Sequence, residues 1–299
     1  MRVLVLGSTV VDMPMMIDHD PEDGETIQMP RGQMYLGGKA LNQALQLFNL
    51  GVDVRLITAL GGDSLGQWAL NELERTSLPV SLIHNKETFT AYAVPVAMPH
   101  KHFIFHVPGI NSHVTISDLE ELAINWEGVD IIVLQGEWPW SVSLWAAQQC
   151  SRAKGKVVLN PAPAPGLPHD LLRLTDTLIS NQQELSTILG VPEVEWDQAM
   201  ANFFLAYPNL SVCVVSLGYR GMRYFARNGR RHTFPAFPTE VVDPTGAGDS
   251  LLGAWIWSIG QGMSYDEAAV MGLRAGALAV KHLGAGTNLP TRKDLEQWL

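Results

Sequence analysis

Val242-Asp243-Pro244-Thr245-Gly246-Ala247-Gly248-Asp249 runs into Ser250-Leu251-Leu252-Gly253-Ala254-Trp255, and the reading of this stretch decides the fold. Two glycines flank one alanine, so the backbone turns tightly and no bulky side chain shields its amides. The apolar run over 251–259 has helical density, which makes the turn the start of a helix. Unpaired N–H groups and the positive end of the helix dipole then face whatever lies over Gly246, Ala247 and Gly248, and they favour an anion. Asp249 falls in the first turn, close enough to that anion to accept a proton from an attacking hydroxyl. Donors for developing phosphoryl charge beside a base are what phosphorylation of a hydroxyl requires. A Gly-rich turn whose Asp merely caps the next helix fits the same residues, so the stretch alone leaves both readings open.

Outward from this turn, strand-like and helix-like segments alternate. Arg2–Leu6 is an apolar run ending at Gly7-Ser8, and strand patterns recur at 52–60, 130–134, 156–159, 177–179 and 211–217. Helical patterns cover 64–75 and 141–154, surround 177–179, and follow over 249–260, 265–282 and the end of the chain. Such alternation implies right-handed crossovers and an α/β fold with a mostly parallel central sheet flanked by helices, Rossmann-like in layout. Segments 223–225 and 230–234, joined through Arg227-Asn228-Gly229, read as an edge hairpin. Residues 13–36 and 90–107 differ: short alternating runs broken by Pro14, Pro21, Gly24, Pro30 and Gly32 predict antiparallel strands forming a small β-sheet lid. No repeat, low-complexity tract or linker interrupts the chain, so 1–299 reads as a single domain.

Polar residues punctuate the ends of these elements. Asp12 follows the first strand, where open α/β sheets place ligand groups, although a turn Asp serves equally well there. Gly37-Gly38-Lys39 opens a helix on whose first turn Lys39 and Asn42 share a face; they can bind the hydroxyls of a polar ligand or simply sit in solvent. Glu137, Asn181 with Glu184, and Ser216 with Gly218 each follow an apolar strand. Carboxyl ends of parallel strands share one sheet edge, so these residues are expected to face one crevice with Asp12 and Asp249.

A hydrophobic fraction of 46% over 299 residues is enough for a large core, and a formal net charge of −10 argues against nucleic acid or an acidic membrane surface as partner. The two cysteines, Cys150 and Cys213, lie in apolar segments and read as buried thiols suited to a reducing cytoplasm. No run has the length of a membrane span and the start lacks signal-peptide architecture, so a cytoplasmic protein is expected.

Together the motifs resemble the ribokinase-like (phosphofructokinase-B type) family of carbohydrate kinases. The resemblance is carried by Gly37-Gly38 through Asn42 and Ala44 with Gly51 and Gly61, by 243–249, by Asn160-Pro161-Ala162-Pro163-Ala164, by Ser216-Leu217-Gly218-Tyr219-Arg220-Gly221 and by 281–290. It spans essentially the whole chain. It implies Asp249 as base on the sugar hydroxyl, with Gly246, Ala247 and Gly248 as the anion hole. It implies Asp12, Gly38, Lys39, Asn42 and Glu137 around the sugar. Asn181, Ser216, Leu217, Gly218, Tyr219, Arg220, Gly221 and Gly248 would bind ATP, with Glu184 acting on Mg2+ through water. Asp243, Thr245, Ala279, His282, Gly284 and Asn288 stand at the positions of a K+ site. The resemblance further implies a homodimer joined through the lids.

Departures from the family pattern fall around the pocket. Val10 stands where an asparagine usually contacts the sugar, and Ala40-Leu41 replaces Gly-Ala beside the sugar-binding helix start. Gln182-Gln183 lies between Asn181 and Glu184, Leu273 replaces a histidine near the adenine, and His282 replaces an arginine. The implied activity is ATP-dependent phosphorylation of a small sugar, ribose or a related pentose or hexose, at a primary hydroxyl. A nucleoside kinase of the same family and, in another class, a non-catalytic sugar or nucleotide sensor are the alternatives; retention of Asp249 and the glycines disfavours the sensor.

Overall fold

The computed structural model describes residues 1–28, 32–85, 87–98, 101–282, 284, 286 and 289–297. In chain order the strands and helices are β1 (Arg2–Leu6), β2 (Val10–Asp12), β3 (Met15–Met16), β4 (Tyr35–Gly37), α1 (Lys39–Asn49), β5 (Asp53–Gly61), α2 (Ser64–Thr76), β6 (Val80–Asn85), β7 (Tyr92–Met98), β8 (Lys101–Val107) and α3 (Ile116–Glu121). There follow β9 (Ile131–Gln135), α4 (Trp140–Arg152), β10 (Lys156–Asn160), α5 (His169–Leu174), β11 (Thr177–Asn181), α6 (Gln182–Leu189), α7 (Trp196–Ala206), β12 (Val212–Ser216), β13 (Met222–Ala226), β14 (Arg231–Phe234), α8 (Ala247–Gly260), α9 (Tyr265–Ala279) and α10 (Arg292–Gln297).

Among the described residues, nine strands form the main sheet in the order β14-β13-β12-β11-β10-β9-β1-β5-β6. All neighbours are parallel except the edge pairs β12–β13 and β13–β14. The chain winds one way from β1 through β5 to β6 and the other way from β9 through β12. The switch point therefore lies between β1 and β9, and a crevice opens outside their carboxyl ends.

Side chains alternate across the sheet. Val3 and Val5 of β1 face a core shared with α1, α2, α8 and α9, whereas Leu4 and Leu6 face a second core built from α3 to α7. A strand buried on both faces has to be apolar at every position, which is why β1, β9 and β12 read as continuous hydrophobic runs. Helix α8 is apolar on nearly all sides because it is buried from Asp249 to Ser258. Helices α6 and α9 each start with a capping box, Asn181–Glu184 and Ser264–Glu267.

A smaller second sheet forms as expected, with corrections to its make-up. Its order is β3-β7-β2-β4 with β8 on the other edge of β7, so Val10–Asp12 belongs to it instead of trailing from β1. The pairs β2–β7 and β3–β7 are parallel, whereas β2–β4 and β7–β8 are antiparallel. Parallel pairing arises because β2 and β7 both leave the main sheet in the same direction. Residues 17–28 carry no strand, and Val80–Asn85, which the sequence pattern leaves unread, adds a parallel strand on β5. Helix α9 stops at Ala279, short of His282. Cys150 and Cys213 are buried free thiols, and burial lifts Cys150 to about 11. No helix of the described residues is long and apolar enough to cross a membrane.

Candidate active site

Gly246 is the N-cap of α8 and lies in the left-handed region at φ 82°, open to glycine and strained for other residues. No side chain caps this helix, and its first intrahelical bond is from Ser250 N–H to the Gly246 carbonyl at 2.9 Å. The amides of Gly248 and Asp249 precede that bond and point out of the helix end. A Cβ added at Gly248 would meet no protein atom within 4 Å, so protein packing does not demand glycine there. What lies above it is a cavity of about 540 Å³ bounded by Ala247, Gly248, Leu251, Ser216, Gly218 and Tyr219. An uncapped helix start facing such a space is a ready anion site.

Asp249 is 7% exposed, in the first turn of α8. Its Oδ2 accepts from Asn42 Nδ2 at 3.0 Å and its Oδ1 from Gln43 Nε2 at 2.8 Å. These amides reach it because α1 packs tightly on α8. A Cβ on Gly253, one turn beyond Asp249, would come within 2.6 Å of the Gln46 side chain, so only glycine admits this approach. Burial is the largest influence on Asp249 and raises its carboxyl above the ordinary range; Lys39 and the two amides pull it down and Glu137 pushes it up. For Lys39, burial opposes the charge, but Asp249, Glu137 and Glu184 together outweigh it and hold the ammonium above its usual value.

Glu137 ties the two halves of the switch point together. Its Oε2 accepts from the Ser8 hydroxyl at the end of β1 and from the Lys39 N–H at the start of α1, the latter at 3.1 Å. A carboxylate there supplies the negative partner that α1 lacks in its own first turn. Gly38, at φ 99°, is required twice over: a Cβ there would lie 2.7 Å from the Ser8 carbonyl oxygen. Gly37 makes room for Asp12, whose Oδ2 would be 2.0 Å from a Cβ at that position. Burial, then Glu137 and Asp243, push the Asp12 carboxyl up to about 7. Val10, two residues back on β2, is 3% exposed and packs with Ala91 and Ala93 as an apolar patch of the lid.

The residues expected on the nucleotide side behave unequally. Ser216, Gly218, Tyr219, Gly221 and Gly248 line the cavity, together with Leu273 from α9. Leu217 is buried, and the Arg220 guanidinium turns to Glu193 and Gln182 at 2.7–3.0 Å instead of facing the cavity. Asn181 and Glu184 close on each other: Asn181 Oδ1 accepts from Glu184 N–H, and the Glu184 carboxylate accepts from Asn181 N–H and Nδ2. The Asn-x-x-Glu spacing thus has a structural role, while burial raises the Glu184 carboxyl with Lys39 lowering it and Asp249 raising it.

Around Asp243 three segments meet. Its Oδ1 accepts from Thr245 N–H at 2.9 Å and its Oδ2 from Gly284 N–H at 3.0 Å, and its own N–H donates to the Val280 carbonyl next to Ala279. His282 is exposed, and Asn288 lies outside the described residues. Both oxygens of the Asp243 carboxylate are thus engaged by main-chain N–H groups.

Sequence reasoning passed over four residues of this site. Gln43 and Gln135, both buried, form an amide cluster with the half-buried Asn160 behind Asp249, and Ser8 anchors Glu137. The available signal was a polar residue at the end of each apolar strand: Ser8 after β1, Gln135 on β9 and Asn160 on β10.

Comparison with known proteins agrees with this geometry. The profile of pfkB family carbohydrate kinases matches residues 1–292. The chain is 29% identical over 298 residues to a ribokinase of Haemophilus influenzae, covering 99% of this chain and 97% of the relative. It is 30% identical over 306 residues to the ribokinase of Bacillus subtilis, covering 100% and 99%. Among solved structures, Arabidopsis thaliana ribokinase complexed with ribose and ATP superposes with a TM-score of 0.85 at 27% identity, over 99% of this chain and 97% of that one.

Proposed function

The chain belongs to the pfkB family of carbohydrate kinases, and on that footing we propose that it transfers the γ-phosphoryl group of ATP to a primary hydroxyl of a small sugar, ribose or a related pentose or hexose. The observation that carries the proposal is Asp249: a buried carboxylate in the first turn of an uncapped helix, beside an open cavity. In this reading ATP fills the cavity with its phosphates over Gly246, Ala247 and Gly248. The sugar sits between Asp12, Gly38, Lys39, Asn42 and Glu137 under the lid. Asp249 takes the hydroxyl proton as the oxygen attacks the γ-phosphorus in line; the new O–P bond forms as the bond to ADP breaks. The N–H groups at the helix start and the Lys39 ammonium stabilise the charge that develops on the transferred group.

Magnesium bound to the nucleotide would neutralise phosphate charge, and Glu184, whose charged form Lys39 favours, would act on it through water. A potassium ion would be held by the oxygens gathered around Asp243. The lid carries the dimer proposal: Phe103, Ile104 and Phe105 on its edge strand β8 and Met15 and Met16 on β3 are exposed apolar residues, at 39–65%. Pairing of two lids would cover them in both subunits. A nucleoside acceptor is the second reading, permitted by Val10, a buried apolar residue that cannot donate or accept a hydrogen bond to a sugar hydroxyl.

A screen of ADP release across pentoses, hexoses and nucleosides tests the proposal. A pentose or hexose should show the highest kcat/KM, and Asp249→Asn should lower turnover at least ~10²-fold with sugar and ATP binding kept. A nucleoside at the head of the ranking would overturn the sugar reading, and near-normal turnover of the variant would remove Asp249 from its role.

A further inference from the structure

Behind Asp249 a set of side-chain amides is ordered by a single fixed acceptor. The Ile179 carbonyl can only accept, so Asn160 turns its Nδ2 to it at 2.8 Å and its Oδ1 toward Gln43. Gln43 Nε2 donates to that Oδ1 at 3.0 Å and, with its second hydrogen, to Asp249 Oδ1 at 2.8 Å. Its Oε1 accepts from Gln135 Nε2 at 2.7 Å. Flipping Gln43 would set oxygen against oxygen at both Asn160 and Asp249 and nitrogen against nitrogen at Gln135. The orientation is therefore imposed from β11 through β10 to α1. We propose that Gln43 is a positioning residue for Asp249, and that this directional chain of amides holds the base as an acceptor-only carboxylate in the rotamer that faces the anion site.

Two details favour this over ordinary core packing. Gln135 Oε1 is a buried oxygen with no hydrogen-bond partner among the described residues, so the amide donates to Gln43 while leaving its own acceptor unmet. It fits only because position 7 is glycine; a Cβ there would lie 2.2 Å from that oxygen. Gln43 and Gln135 are 0% and 2% exposed, so water does not substitute for either. Fixed donors in a dry site act on a carboxylate more strongly than mobile water does. They oppose the upward push that burial gives the Asp249 carboxyl. The charged groups facing it from the packed elements are Lys39 of α1, Glu137 after β9 and Glu184 of α6. Lys39 acts in the same sense as the amides and the two carboxylates against them.

The inference rests on Asp249 being the base, and kcat against pH separates the two claims. At saturating sugar and ATP this profile reports groups in the complex, so Asp12, which acts on sugar binding, drops out of it. Gln43→Met should move the acidic limb upward by about one pH unit and lower kcat at neutral pH about tenfold, with the sugar KM within about threefold of wild type. Gln135→Met, which does not touch Asp249, should move the limb less and in the same direction. A lower kcat with an unmoved limb would reduce Gln43 to a packing residue, and an unmoved limb in a folded Gln135→Met would break the chain at that link. Should Gln43→Met fail to fold by circular dichroism, Gln135→Met decides. If Asp249→Asn keeps normal turnover, the base assignment itself fails; if that variant is inactive while both limbs stay put, only the positioning role does.

Discussion

Asp12→Asn should make the sugar-free protein more stable at pH 8 while impairing its use of sugar. Burial, then the charges of Glu137 and Asp243, raise the Asp12 carboxyl from 3.8 to about 7. Between those values the folded chain keeps a proton that the unfolded chain has lost. Unfolding thus releases a proton, and Asp12 subtracts stability as pH rises, at about 1.4 kcal/mol per unit until pH 7. Over the whole interval that is roughly 4 kcal/mol; allowing for residual solvent and shared charge, about 2–4 kcal/mol. An asparagine fills the same space over Gly37 and does not ionise. The variant should melt on the order of 5 °C above wild type at pH 8, with more than half of the gap gone at pH 5. Thermal melts of both proteins at the two pH values check it. A variant no more stable than wild type at pH 8, or a gap independent of pH, would refute the reasoning. In wild type the same proton competes with sugar hydroxyls donating to the carboxylate, so kcat/KM for sugar should fall about tenfold from pH 8 to pH 6. A site held at a stability cost is what a carboxylate kept for ligand use looks like.

Other expectations follow from the same geometry. Gly248→Ala should fold and melt like wild type, since its Cβ meets no protein atom, yet lower ATP turnover by at least about tenfold because the methyl enters the phosphate space; normal kinetics would place the phosphates elsewhere. Val10→Asn should raise the ribose-to-best-substrate ratio of kcat/KM by up to about tenfold, one hydrogen bond being worth roughly 0.5–1.5 kcal/mol, and an unchanged ratio in a folded variant would take Val10 out of sugar reading. Phe103→Asp combined with Phe105→Asp should convert a dimer into a monomer by sedimentation at micromolar concentration, because both side chains are about half exposed on the lid's edge strand. A monomeric wild type, or a dimer indifferent to both charges, would rule out the lid interface.

How much of this was legible in the chain depends on the range of the interaction. The helix start at 246–249, the Gly37-Gly38 turn into α1 and the alternation of strands with helices were readable from the sequence by itself, because each rests on local backbone freedom, local apolar period or the fixed handedness of crossovers. The residue types that meet at the switch point followed from one further rule, that parallel strands bring their carboxyl ends to one edge.

Tertiary structure alone decided what those residues touch. Arg220 turns away to Glu193, and Val10–Asp12 joins the second sheet in parallel with β7. Gln43 finds Gln135 92 residues away and Asn160 117 residues away, while Asp249 lies 206 residues down the chain. No local pattern encodes such pairs. Which buried donor meets which acceptor is set by strand order and by how closely two helices approach, here through the absent side chains of Gly7 and Gly253. A buried amide must find its partner wherever the completed fold puts one.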